Sequence, residues 1–270
     1  MTAAVPTMSS PAAVLEQVKE AQRRNRRSFR LWFIVTWIAL VGALIVMLYA
    51  TGNINADFIA RSGPYIIQGA GITVLITLTS ITFATILALF GALGRLSRNP
   101  VLNGIASLYV SLVRGTPLLV QIFFIYLALP QLGIVLPVIV GGVLALAFNY
   151  GAYMTEVFRA GIQAVPKGQR EAAQALGMPE GMIMRRIVLP QALRIVTPAI
   201  GNDFVSMIKD SSLVYVLGVQ ELLWRSSTIG RRELASLEAL LIAAAVYWGL
   251  TIIFSAFQER LERRMARGDR

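Results

Sequence analysis

Residues 170 to 192 read REAAQALGMPEGMIMRRIVLPQA, a stretch with charge, glycine and two prolines set between runs of apolar residues. Pro166 opens a segment of good helix formers, Lys167 to Leu176. Gly177 then stands where a helix ends on a left-handed residue, Pro179 suits the first turn of a second helix, and Pro190 is expected to interrupt the chain after Leu189. The stretch therefore predicts a short helix, a tight turn and another short helix. Ala172, Ala173, Ala175 and Leu176 give the first helix a small apolar side that admits a close neighbour, and Glu171 sets a carboxylate among basic residues. By shape alone this is a connecting loop, and its meaning depends on what it connects.

On both sides lie apolar runs of membrane-spanning length. Of 270 residues, 56% are hydrophobic and 14% charged, a balance that belongs to an integral membrane protein. Leu31 to Tyr49 is 19 residues without a charge, enough to cross most of a hydrocarbon core of roughly 30 Å. Further spans are expected at Tyr65–Leu93, Ile105–Leu129, Ile134–Phe158, Ile195–Gly218 and Leu237–Phe257. The runs are continuous rather than alternating, which excludes a β-barrel pattern and predicts an all-α polytopic fold of about six transmembrane helices. If the amino terminus is cytoplasmic, 19 of the 25 Lys and Arg fall in inside segments and only Arg61, Arg225, Arg231 and Arg232 outside. That asymmetry predicts both termini, and the opening stretch, on the cytoplasmic side.

The expected organisation is a basic arm at 1–30, an uncleaved span at 31–49, a transmembrane domain at 65–260 containing the loop 161–192, and a tail at 261–270. The arm reads as a polar topogenic tail, with a short basic surface helix over Ala12–Arg30 as the alternative.

The chain has no cysteine and no histidine. Disulfides, Cys/His zinc sites and Ser-His or Cys-His nucleophile pairs are thereby excluded within it. The motifs G-x-x-x-x-G-K-[ST] and G-x-G-x-x-G are both missing, so no cofactor is expected on this chain and any nucleotide must bind another. A net charge of +11 bunched around the apolar runs, without interleaved aromatics, gives no nucleic-acid surface.

Glu171-Ala172-Ala173, three residues, Gly177, nine residues, Ile187, one residue, then Leu189-Pro190 matches the EAA signature of ATP-binding-cassette (ABC) importer permeases without a gap or substitution. Seven specified positions match by chance on the order of 10⁻⁸ to 10⁻⁷ per starting point. Beyond the loop the chain resembles the polar amino acid branch of that family. The resembling segments are Gly69–Ser97, Val113–Tyr126 (VRGTPLLVQIFFIY), Asn149–Ile162 (NYGAYMTEVFRAGI) and Met207–Leu217 (MIKDSSLVYVL), the last with Ser211 where the family has Thr. The span 31–49 is an addition to the family's five-span core.

The resemblance implies a type I importer permease in a bacterial cytoplasmic (inner) membrane. Its implied partners are a second permease copy or relative, two ATPase subunits carrying ATP and Mg²⁺, an extracytoplasmic solute-binding protein and a polar amino acid as solute. The loop would be the coupling helix, with Glu171 in polar contact with the ATPase, the alanines in close packing and Gly177 at the turn.

Ionisable groups inside spans need partners, water or a solute. Asn149, Tyr153 and Glu156 share a face of the fourth span; Asn202, Ser206 and Lys209 share one of the fifth, with Asp203 and Asp210 on its edge. Two readings stay open. Asn149, Tyr153, Glu156, Asn202, Asp203 and Ser206 line a solute passage, or they are structural, with Glu156 paired to Arg159 and Lys209 to a nearby acid. Lys209, Asp210, Arg159 and Arg114 are assigned to structure or gating, with Arg114 near the cytoplasmic end of the third span and snorkelling to the interface. Pro117 can bend that span. Thr73, Thr77 and Ser80 form a helix contact, and Gln220–Ser236 reads as a long outer loop. A stand-alone secondary carrier or channel remains the alternative function, although it gives no reason for the loop signature.

Overall fold

The computed structural model describes residues 11–52 and 54–265. The first ten residues of the expected arm and the last five of the expected tail lie outside the described residues. Everything regular among the described residues is helical. The chain divides into two compact units, Met1–Ile54 and Asn55–Arg270.

The first unit is one helix, α1 (Pro11–Gly52). The tail reading of the arm is corrected here, because residues 11–30 are helical and run without a break into the apolar segment. Ala, Leu, Glu, Gln, Lys and Arg dominate this stretch and neither Gly nor Pro interrupts it after Pro11, so nothing local ends the helix. Phe29, Phe33 and Trp37, four residues apart, line up with ring centroids 6.3 and 6.1 Å apart.

The spine of the second unit is α2 (Ala56–Arg95), 40 residues long. Asn55 caps it by accepting from the Phe58 amide at 2.9 Å. Three buried clusters follow one another along it: Phe58 and Ile66 with Leu222 and Ala239; Ile76 with Ile122, Leu146 and Val214; and Ala84, Ala88 and Ala92 with Met154, Phe158 and Ile183. The last belongs to the end of the unit that carries the loop. Small residues let α2 lie close to α5 (Val138–Ala164): a Cβ on Gly91 would stand against the Thr155 side chain, and one on Gly151 against Leu87.

Between them the expected third span is broken. It consists of α3 (Pro100–Arg114) and a second limb that starts as α4 (Leu118–Phe123) and ends at Leu132, bent by 105°. Pro117 ends the first limb because it cannot donate into it, and its extended backbone starts the second. Arg114 therefore sits at the inner end of α3, about 20 Å along the helix from Pro100 at 1.5 Å per residue. Its guanidinium stacks on Tyr153, 5.2 Å from the ring centroid.

After α5 come α6 (Lys167–Ala175), α7 (Glu180–Ile183), α8 (Leu189–Asp210), α9 (Leu222–Arg232) and α10 (Ser236–Met265). Four helices are long and apolar enough to cross a membrane, or five with the bent pair taken as one span. The remaining expected span, Ile195–Gly218, is α8 continued by a 3₁₀ run over Ser211–Leu217, and Arg194, Asp203, Lys209 and Asp210 make it too polar to stand among them. The expected outer loop Gln220–Ser236 is instead mostly α9, whose start the Glu221 side chain caps.

Candidate functional site

The loop is built from its turn outward. Gly177 has φ 73°, its amide donates to the Gln174 carbonyl at 2.9 Å and the Met178 amide to the Ala173 carbonyl at 3.1 Å. This pair of bonds closes α6 and is open to glycine because a Cβ disfavours the left-handed conformation. Across the turn the Gln174 amide donates to Glu180 at 2.6 Å. The two neighbouring alanines face opposite ways. Ala173 is 2% exposed and packs with Ile183 and Val188 in the loop-end cluster, whereas Glu171, Ala172 and Leu176, the last 82% exposed, face outward. One side of α6 is thus anchored to the bundle and the other presents a carboxylate and an apolar tip.

Pro190 does not interrupt the chain as expected. Residues Met184–Val188 form a π-turn, in which the Leu189 amide reaches back to Met184, and α8 proceeds through Pro190 in its first turn. A π-turn widens the ladder next to a ring that can neither donate nor tolerate a close carbonyl four residues back. The same solution occurs at Leu129-Pro130-Gln131, preceded by a π-turn at Phe124–Ala128. In both places the glutamine after the proline donates to the carbonyl four residues back, Gln131 to Leu127 at 3.2 Å and Gln191 to Ile187 at 3.1 Å.

The second feature is the polar interior around the broken span. Gln121 holds the break: its amide donates to the carbonyls of Val113 (2.8 Å) and Thr116 (3.1 Å) and to the Thr116 hydroxyl (2.9 Å). These carbonyls lose helical partners where α3 ends, so Gln121 offsets the cost of the break. Asn149 is buried and donates to the Gln121 oxygen at 3.3 Å, which ties α5 to the break. Tyr150 donates to Asp210 at 2.7 Å and joins α5 to the end of α8. Glu156 lies between Arg95, 3.2 Å away, and Arg159, 2.7 Å away. Asn202 accepts from Gln258 on α10 at 2.9 Å.

Tyr153 is exposed in the single chain, as are Arg114 and Lys209, while Asp203 and Ser206 are half-buried. Asn149 and Tyr153 thus meet around the break, Asn202 is drawn to α10, and Glu156 joins Arg95. Gln121, Tyr150 and Arg95 were not anticipated. The available signal for Gln121 was a lone amide four residues after a proline in an apolar run.

At the far end lies a third polar node. Glu221 is fully buried and accepts from the amides of Leu223 (2.9 Å) and Trp224 (2.7 Å), the Tyr247 hydroxyl (2.5 Å) and the Thr73 hydroxyl (3.4 Å). Burial pushes its carboxyl above the ordinary range, and these four donors act in the opposite sense. Gly69 makes room, because a Cβ there would lie 2.8 Å from the Leu222 backbone. The small face Thr73, Thr77 and Ser80 is entirely buried, and Ser80 donates to the Val143 carbonyl, consistent with a helix contact.

Comparison with known proteins agrees with this arrangement. The family described as binding-protein-dependent transport system inner membrane component matches residues 80–267. The L-cystine transport system permease protein TcyB of Bacillus subtilis (strain 168) is 40% identical over 205 residues, covering 76% of this chain and 88% of that protein. The arginine transport system permease protein ArtQ of the same organism is 37% identical over 218 residues, 80% of this chain and all of that protein. Among solved structures, an amino acid ABC transporter with histidines has 39% identity and a TM-score of 0.73, covering 78% of this chain and 99% of that one. An inward-facing MetNI methionine ABC transporter shares the fold at 18% identity and a TM-score of 0.59, over 74% of this chain and 95% of that one. The family match covers more than half of this multi-pass helical chain, including the anchored loop between its third and fourth core segments, and the chain belongs to the binding-protein-dependent transport system inner membrane components.

Proposed function

We propose that this chain is the membrane-spanning permease subunit of an ATP-driven ABC importer for polar amino acids, coupled to a separate ATPase through the loop 161–192. The observation that carries the reading is the outward side of α6, where Glu171, Ala172 and Leu176 are free while Ala173 is locked into the core. A helix fixed on one side and open on the other passes a push on its open side into the bundle. The signature spacing from Glu171 to Pro190 and the names of the relatives support the same reading.

In this reading both termini and the loop are cytoplasmic, the membrane is the bacterial inner membrane, and ATP and Mg²⁺ bind the partner ATPases. A second permease of the same or a related chain and an extracytoplasmic solute-binding protein complete the transporter. ATP favours the arrangement in which the ATPases close, and α6 carries that preference into the spans, switching them between inward-open and outward-open states.

Solute passes beside the break of the third span. Tyr153, with Arg114 stacked on it, and Asp203 and Ser206 on α8 supply an aromatic face, a guanidinium, a carboxylate and a hydroxyl for a zwitterion. Asn149 contributes indirectly by orienting Gln121, and Glu156, held by two arginines, and Asn202, held by Gln258, are structural. In reconstituted uptake, Tyr153→Ala raises the apparent KM for solute about tenfold, the worth of one desolvated aromatic contact. Solute binding to the isolated binding protein stays unchanged. An unaltered KM and selectivity removes Tyr153 from the passage, and ATP-independent uptake by this chain alone overturns the importer reading in favour of a secondary carrier.

A further inference from the structure

Beside the loop lies a cleft of about 720 Å³ that the transport reading does not use. Its walls come from the segment after α2 (Leu96, Arg98), the last turns of α5 (Ile162) and the pair α6–α7 (Lys167, Arg170, Glu180). Three cations face one carboxylate, and the Glu180 carboxylate already accepts from Gln174. Arg98, Lys167 and Arg170 form no ion pair among the described residues, and Arg170 is half-buried. An uncompensated positive concavity attracts an anion, and a partly desolvated guanidinium gains most from a phosphate oxygen.

The position of the cleft says which anion. The apolar helices α2 and α5 end at Arg95 and Ala164, next to the cleft, so its mouth lies where the hydrocarbon-facing surface gives way to polar residues. Leu96 and Ile162 add apolar wall beside the basic groups. A soluble phosphate compound needs no such wall at this depth, whereas a glycerophosphate with its first acyl carbons does. We propose that this cleft binds the phosphodiester head group of an anionic phospholipid from the leaflet on the loop's side. Bound there, the lipid touches α2, α5 and α6 together and sets the membrane's charge against the segment that moves.

The test uses the complete transporter purified in detergent, with phosphatidylglycerol or phosphatidylcholine added and the bound lipids counted by native mass spectrometry. The wild-type protein retains phosphatidylglycerol over phosphatidylcholine. In Arg98→Gln with Lys167→Gln, phosphatidylglycerol binding weakens about thirtyfold, as expected for two basic side chains near a lipid surface. Arg98→Lys with Lys167→Arg, which preserves the charge and controls for folding, retains it. Millimolar inorganic phosphate leaves the lipid in place. Equal retention by the wild type and the glutamine variant overturns the proposal. So does displacement by inorganic phosphate, which would mark a site for free anions, or loss of ATPase subunits from the glutamine variant, which would mark a seat for an acidic partner surface. The lipid count does not depend on transport, so this result and a failure of the importer reading are told apart.

Discussion

Glu171→Lys combined with Gly177→Asp abolishes the coupling of solute transport to ATP hydrolysis, lowering solute-stimulated hydrolysis in the reconstituted transporter about a hundredfold while the spans still insert. Each substitution acts on a different part of α6. Glu171 faces outward at the surface proposed to meet the ATPase, and reversing its charge there places a cation where a carboxylate fitted, a change worth several kcal/mol at a desolvated contact. Gly177 at φ 73° closes the helix, and a Cβ in that conformation costs about 1 kcal/mol. Together these exceed the ~2.7 kcal/mol that a hundredfold loss represents. The measurement is hydrolysis with and without loaded binding protein, alongside the amount of ATPase retained on purification. Intact stimulation and assembly would show that the loop is not the coupling element.

The largest loss of stability is expected from Glu221→Ala. The substitution removes one fully buried acceptor and strands the Leu223 and Trp224 amides and the Tyr247 hydroxyl, while the Thr73 hydroxyl keeps the Gly69 carbonyl as an acceptor. A buried donor left unsatisfied costs about 1–3 kcal/mol. Local rearrangement recovers part of this, so about 3–5 kcal/mol is expected, read as a fall in the thermal unfolding midpoint in detergent. Glu221→Gln keeps an acceptor oxygen and retains most of the stability. A midpoint that Glu221→Ala leaves in place would mean that water substitutes for the carboxylate and the node is not sealed.

The elements written in continuous apolar runs are legible in the sequence: the spans expected in α1, α2 and α10 fall within one helix each, and the one expected from Ile134 starts as α5 only at Val138, after Pro137. So was the local chemistry of the loop turn, where Gly177 after a run of helix formers specifies its own conformation. What escaped depends on partners distant in the chain. Pro117 signals a bend, but the Gln121 side chain that bridges it is tied to Asn149, 28 residues on, which spacing along one helix does not reveal. α9 looks like a loop in the sequence because its amphipathic pattern covers only 11 residues; its start is fixed by Glu221, whose partner Thr73 is 148 positions away. The charge of the arm suggests a tail, although charge alone does not oppose helix in a segment of Lys, Arg, Glu and Ala. For polar span residues, spacing assigns a face but not the partner on the neighbouring helix, which is why Glu156 and Arg159 were paired while Arg95 was missed.

The π-turn at Met184–Val188 has a consequence for how this segment tolerates insertion and deletion. Such a turn holds one residue more than an α-helical turn, and each residue of an α-helix accounts for about 100° of rotation. Because that extra residue is taken up inside the turn, deleting it would regularise the ladder and leave the α8 face that carries Asp203 and Ser206 nearly in phase with the anchored loop, whereas a residue deleted from the regular turns of α8 would swing that face by about 100°. The π-turn is thus the place between loop and span where a one-residue change in length is absorbed, and a codon lost a few residues later, within α8, would turn two otherwise intact parts out of alignment.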